Sequence, residues 1–321
     1  MQTKLTNSLR LMGAMPRYSL PSRRQQRGIG LLELMVGLLI GLLVIGVAGG
    51  ALMVARDTSG TVSDASAIQQ QAGYAFRVIG QQLRQSGSLY LNLNTTKNTR
   101  TDIDQYALPV AFEAKAKSSD PERAFSPTTD SINGTNNTLT IGYRRYKEAV
   151  FPLNDTSPAK QSPSRDCQGG PQDLDTPDND SFMRVSSAFA LTNNNLVCTG
   201  TTGETQPVIG NVANFRIRYL RMTDLSTGIP KVEYVNAAAV NTNWGQVTGV
   251  EVCLVLYGNE RMNLPSGSYT DCDGTTVVDY TSASSNDMNG SAIGEDRAQR
   301  MHMVFRGVFQ LRSQGLVGNL L

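Results

Sequence analysis

Histidine is almost missing from the 321 residues, with a single copy, and cysteine occurs only four times. One histidine leaves one candidate base for a Ser-His-Asp type of arrangement; it is His302, at the start of an apolar strand pattern, with no recognisable nucleophile context elsewhere. The cysteines, Cys167, Cys198, Cys253 and Cys272, form no Cys-x-x-Cys pair, so zinc-like spacing is absent. The acidic stretch Asp173, Asp175, Asp178 and Asp180 lacks the glycine and closing glutamate of a calcium loop and reads as a solvated loop. No metal, cofactor or enzyme activity is expected.

Negative charge is absent from residues 1 to 28, which hold Lys4, Arg10, Arg17, Arg23, Arg24 and Arg27. Subtracting those six from the formal net charge of +2 leaves the remainder at −4. A weakly acidic body argues against general nucleic-acid binding, which draws on many phosphate contacts. Tyr143-Arg144-Arg145-Tyr146-Lys147 interleaves aromatics with cations, but on a strand these alternate faces and at most half could share a patch.

What the sequence does hold is a long apolar run. From Ile29 to Ala55 the only charged side chain is Glu33. As a helix this run would extend about 40 Å, enough to cross a hydrocarbon core of about 30 Å. The basic leader before it places the amino end in the cytoplasm and everything past residue 56 outside. A secretory signal would be cut after its apolar stretch; here the suggestive junction, Arg27-Gly28-Ile29, precedes it, so the helix would stay with the mature chain. Hydropathy alone leaves open an anchor that is never cut. A carboxylate in a membrane helix costs about 2.5–3.5 kcal/mol on insertion scales, which makes Glu33 a functional candidate even one turn into the helix.

The string Arg27-Gly28-Ile29-Gly30-Leu31-Leu32-Glu33-Leu34 resembles the class III signal of type IV prepilins: basic leader, glycine before the cut, apolar mature start and glutamate at mature position five. The resemblance implies cleavage after Gly28 by a prepilin peptidase, N-methylation of Ile29, and pairing of Glu33 with the terminal amine of a neighbouring subunit, with Leu31, Leu32 and Leu34 in the assembly surface. Ile29 stands where phenylalanine is usual. The leader is long for the short-leader branch, and Met15 offers a start that would give conventional length.

Beyond the apolar run, Gly37/Gly41 and Gly46/Gly50 provide small-x-x-x-small pairs suited to close helix packing, and the paired Gly49-Gly50 could soften the helix where many pilins carry proline. Ala65, Ile68, Ala72, Ala75, Ile79 and Leu83 then recur at threes and fours, an amphipathic stripe that Ser86-Gly87-Ser88 ends. One helix over about 29 to 86 is expected.

Residues 73–87 and 296–312 are similar to PilW-like minor pilins. That implies an α+β, pilin-like fold in which the long helix packs on an antiparallel sheet. Strands are expected at 138–146, 215–222, 231–235, 247–257 and 302–312, with Phe215, Ile217 and Tyr219 facing the helix. Residues 89–136 read as a connection with little regular structure, and 154–184 and 258–298 as polar loops. An even cysteine number in an exported head favours disulfides; three connectivities are open, and loop-closure entropy favours Cys167 with Cys198 and Cys253 with Cys272.

The expected organisation is a leader 1–28, a membrane or filament-core helix 29–55, its amphipathic continuation 56–88, and a head 89–321. The resemblance implies a minor pilin that primes assembly near a pilus tip. Its implied partners are the prepilin peptidase, the inner-membrane platform, other minor pilins, the major pilin and a large tip adhesin. A type II secretion pseudopilin and an uncut envelope-binding anchor are the alternatives.

Overall fold

The computed structural model describes residues 28, 30–88, 91–92, 111–112, 125–145, 148–150, 159–170, 184–223, 229, 231–262 and 266–311. Two compact units divide the chain, residues 1–55 and 56–321. One helix, α1, runs over Leu31–Gln85 and contributes to both. It ends where Gly87 takes a positive φ of 68°, with the Ser88 amide closing the last turn on the Gln85 carbonyl at 3.0 Å.

The strands follow in chain order. Two-residue β1 (Leu91–Asn92) pairs with β2 (Ala111–Phe112). Then come β3 (Ile132–Gly134) and β4 (Thr138–Arg144), the short pair β5 (Glu148–Val150) and β6 (Ala159–Gln161), and β7 (Arg184–Thr192), β8 (Asn195–Thr199) and β9 (Thr205–Ile209). After them lie β10 (Val212–Thr223), β11 (Lys231–Val235), β12 (Val247–Arg261), the hairpin β13 (Ser268–Thr270) and β14 (Val277–Asp279), and β15 (Arg300–Gln310).

Two antiparallel sheets dominate the head, in the orders β11-β10-β12-β15 and β3-β4-β7-β8-β9. In the first, the rows Phe215–Leu254–Phe305, Ile217–Val252–Gly307 and Tyr219–Val250–Phe309 lie on one face. On that face Phe76 of α1 lies 6.1 Å from the Phe309 ring, and a Cβ on Gly80 would meet that ring at 2.7 Å. Ile68, Ala72, Ala75, Ile79 and Leu83 are buried in the same core, while Ala65 is only half-buried. Alternate residues of the same strands point the other way. There Cys253, Val255 and Tyr257 pack with Tyr269, Cys272, Val278 and Ile293 in a second core. Strand β12 is therefore covered on both faces, the physical reason its sequence is a continuous apolar run rather than an alternating one.

The second sheet is a departure from the single sheet expected. Strand β7 alternates by burial, but one of its inward residues is Ser187, so its sequence does not alternate by hydropathy. Ser187 belongs to a buried polar junction with Gln82 of α1. Its hydroxyl donates to Gln82 Oε1 at 3.0 Å and accepts from the Cys167 amide at 3.0 Å, while Gln82 Nε2 donates to the Arg165 carbonyl at 3.2 Å. The Tyr143 hydroxyl donates to that same carbonyl, and burial, with Asp166 adding to it, pushes its phenol well above the ordinary range.

Three further expectations are corrected. Within 89–136, expected to have little regular structure, Pro127–Asp130 is a helical turn, β3 follows, and Phe125, Pro127 and Ile132 are buried against β4 and its neighbours. Gly142 admits this close approach: a Cβ there would lie 2.1 Å from the Asp130 carbonyl oxygen, and its amide donates to Ser131 at 2.9 Å. Segment 258–298 contains the β13–β14 hairpin and much of the second core, because its apolar residues are single and widely spaced among turn formers. Within 154–184, β6 is formed; the acidic stretch Asp173–Asp180 lies outside the described residues.

Candidate functional site

Gly28 and Gly30 are exposed, with open space where a Cβ would sit, and Ile29 lies outside the described residues. The Gly30 carbonyl accepts from the amides of Glu33, at 3.0 Å, and Leu34, at 3.1 Å, so the helical ladder starts immediately after the Gly28–Ile29 junction. A peptidase can reach a bond that is outside the helix more readily than one locked in its turns. Glu33 falls in the first turn, where exposed amides and the helix dipole favour a carboxylate. Among the described residues it makes no ion pair.

Every described side chain from Leu31 to Arg56 is exposed except Gly41, which is intermediate. Sixteen large apolar side chains between Leu31 and Val54 are more than half exposed, Leu31 by 79% and Leu32 by 78%. At about 1.5–3 kcal/mol for each such side chain fully buried, leaving them in water would forgo tens of kcal/mol, more than the whole stability of an ordinary domain. A surface of that size must be covered, and the helix is long and apolar enough to cross a membrane. Among the described residues Gly37, Gly41, Gly46, Gly49 and Gly50 have nothing within 4 Å of an added Cβ, so their small faces are open to the approach of another helix.

The head is cross-linked at both sheets. Cys167 joins Cys198 of β8, and Cys253 of β12 joins Cys272, with Cα separations of 6.5 and 5.8 Å. These are the sequential pairs. A tethered irregular segment thus lies on each sheet, a sound arrangement for a loop-rich head in an oxidising compartment.

Sequence reasoning passed over three features of the head. Asp64 of α1 is buried and accepts from the Glu260 amide at 2.8 Å, fixing the helix to the end of β12. Gln82 anchors the other sheet; both are polar residues on the buried side of the helix, the one signal that marks them. His302 stacks on Tyr269 at 4.9 Å, with Tyr280 and Tyr257 at 5.7 and 5.8 Å. Its Nδ1 donates to the Arg300 carbonyl at 2.9 Å, and Nε2 is buried with no partner among the described residues. Burial, reinforced by Arg297 and Arg300, lowers its pKa to about 4. Tyr143, Arg144 and Arg145 are buried rather than displayed, whereas Tyr146 and Lys147 lie outside the described residues, so the described part of that motif offers no nucleic-acid surface.

Residues 23–49 match the prokaryotic N-terminal methylation motif, and residues 178–313 match type IV pilus-assembly protein W. The second match takes in β7 through β15, including the closing segment that resembled this group; residues 73–87 fall outside it. No curated protein matches the chain by sequence. Among solved structures it is similar to a type IV-like pilin from Thermus thermophilus, 10% identical, over 78% of this chain and 96% of that one, with a TM-score of 0.33, too loose a likeness to argue from. The matching families are structural, of pilin type. The chain is a type IV pilin-like protein, with a prepilin methylation motif at its amino end and a pilus-assembly protein W segment in its head.

Proposed function

We propose that this chain is a minor pilin that primes type IV pilus assembly and is built into the filament near its tip. The observation that carries the reading is the Leu31–Val54 surface: apolar all round, uncovered, and interrupted only by Glu33 directly after a glycine-marked junction. Cleavage after Gly28 by a prepilin peptidase frees Ile29 for N-methylation and removes the leader, 1–28. The helix 29–55 then holds the chain in the inner membrane, with the head, 89–321, on the periplasmic side and the amphipathic stretch 56–88 joining them.

On assembly the same apolar surface leaves lipid for the filament core, with Leu31, Leu32 and Leu34 in contact with neighbouring helices. Glu33 meets the amine of an adjacent subunit there, since a charge withdrawn from water is tolerated when an opposite charge answers it. The partners are the peptidase, the assembly platform, other minor pilins, the major pilin and a tip adhesin. Motility and adhesion follow from the filament, and the chain itself catalyses nothing.

Removing the gene for this chain tests the role. Loss of surface pili, restored by the full chain, is expected. Unchanged pili with loss of secreted proteins would replace this reading by the type II secretion pseudopilin, whose amino-terminal segment has the same chemistry.

A further inference from the structure

The head's sheets have unequal edges. Strand β9 carries Pro207 at its centre, β11 is five residues long with the Lys231–Glu233 ion pair on it, and β3 has three residues. Each is a known way of discouraging an added strand. Strand β15 has none of these: it is eleven residues long, without proline, and from Met301 to Gln310 its one permanent charge is Arg306.

The Leu311 amide donates to the Thr248 carbonyl at 2.9 Å, and the β12–β15 register continues unbroken from Gly249–Gln310 to Tyr257–His302. Antiparallel alternation then points the backbone amides and carbonyls of Val304, Arg306, Val308 and Gln310 away from β12. Among the described residues none of these groups has a hydrogen-bond partner. Nothing buries the stretch either: Val304 to Gln310 is half-buried or exposed throughout, and Val308 is 55% exposed.

Its two faces differ in chemistry. Toward α1 stand Phe305 and Phe309, both half-buried, with Phe309 beside Phe76. On the opposite face Arg306 shares a row with Arg216, next to Arg218; Arg306 donates to the Cys272 and Asp271 carbonyls at 3.1 Å each, and among the described residues Glu251 is the carboxylate paired with Arg218 and Arg306, leaving a net positive charge.

We propose that β15 is a docking edge that takes an extended segment of a neighbouring pilin-type subunit as an added strand. The incoming strand carries apolar side chains on the α1 side and at least one carboxylate on the Arg306 side. Backbone pairing supplies the affinity and the two faces fix its register. The class of partner rests on the pilin reading above; the open edge does not.

The test uses the full chain in its own cells, with a photo-crosslinking benzoylphenylalanine in place of Gln310. An adduct to another pilin-type subunit is expected. Val308→Pro should lower it at least tenfold while expression, both disulfides and leader removal stay normal, because the lost N–H faces away from β12 and Gly307 precedes the proline. As a measurement independent of any variant, the amides of Val304, Arg306 and Val308 should exchange freely in the isolated protein and become protected in the assembly. An adduct undiminished by Val308→Pro, an adduct only to a second copy of this chain, or exchange unaltered on assembly overturns the proposal. A leader retained in the wild type overturns instead the pilin reading, and the partner's class with it.

Discussion

Replacing His302 by phenylalanine should flatten the acid limb of the head's stability profile. The folded imidazole titrates at about 4 against 6.5 for the free side chain, chiefly because burial disfavours its charged form. Around it stand Tyr257 of β12, Tyr269 of β13, Tyr280 after β14, and Arg297 and Arg300, and none of these supplies a negative charge at neutral pH. The unfolded chain therefore takes up the proton first. Above pH 6.5 the residue contributes no slope; between 6.5 and 4 stability falls with falling pH; below 4 both states are protonated and the slope ends.

At about 1.4 kcal/mol per unit, the wild type loses about 2 kcal/mol between neutrality and about pH 5 from this group. His302→Phe keeps the ring stack, removes the buried Nε2 that has no partner, and gives up the bond to the Arg300 carbonyl, so at neutrality it should lie within about 1 kcal/mol of wild type. Urea unfolding of the detergent-solubilised chain, followed by the fluorescence of the single tryptophan, Trp244, which sits edge-on to Tyr219 at 5.0 Å, reads both quantities. Parallel profiles for wild type and variant would refute the reasoning.

Two other perturbations separate the head from the amino end. Gly142→Ala should destabilise the head by about 2 kcal/mol or more, since its Cβ would meet backbone at Asp130 rather than a side chain that can swing away, and the Gly87 amide's bond to the Gly142 carbonyl would shift with it. An unchanged urea midpoint would contradict that. Glu33→Ala should leave leader removal intact yet cut incorporation into filaments at least tenfold, measured by immunoblot of sheared pili; normal incorporation would sink the charge-pairing account.

Much of this molecule was legible because two periodicities survive in the sequence. The helix stripe of Ile68, Ala72, Ala75, Ile79 and Leu83 and the alternation of Phe215, Ile217 and Tyr219 report burial directly, since hydrophobic residues recur there at the period of the element. Strand 231–235 came out with the bounds expected for it, and 138–146 ends two residues earlier, at Arg144.

The second sheet was hidden for the opposite reason. Strand β7 buries Ser187, and the helix facing it buries Gln82, so polar satisfaction replaced the hydropathy signal. A turn signal was available: Asn193 and Asn194, with φ of 49° and 58°, form the two-residue hairpin between β7 and β8, as asparagine tolerates the left-handed region. The second core escaped because Tyr269 and Val278 are single buried residues of three-residue strands and Cys272 and Ile293 come from the segments around them, which no period of 2 or 3.6 can show. At the amino end the motif was legible as residue types, and the described residues add the position of Gly28 just before the helix and the exposure of the helix surface.

The most direct test of the central claim is the intact mass and amino-terminal peptide of the protein from its native membrane, with and without the prepilin peptidase. The account predicts a mature chain beginning at N-methylated Ile29 only when the peptidase is present. A retained leader in both strains would contradict it and leave an uncut anchored protein in its place.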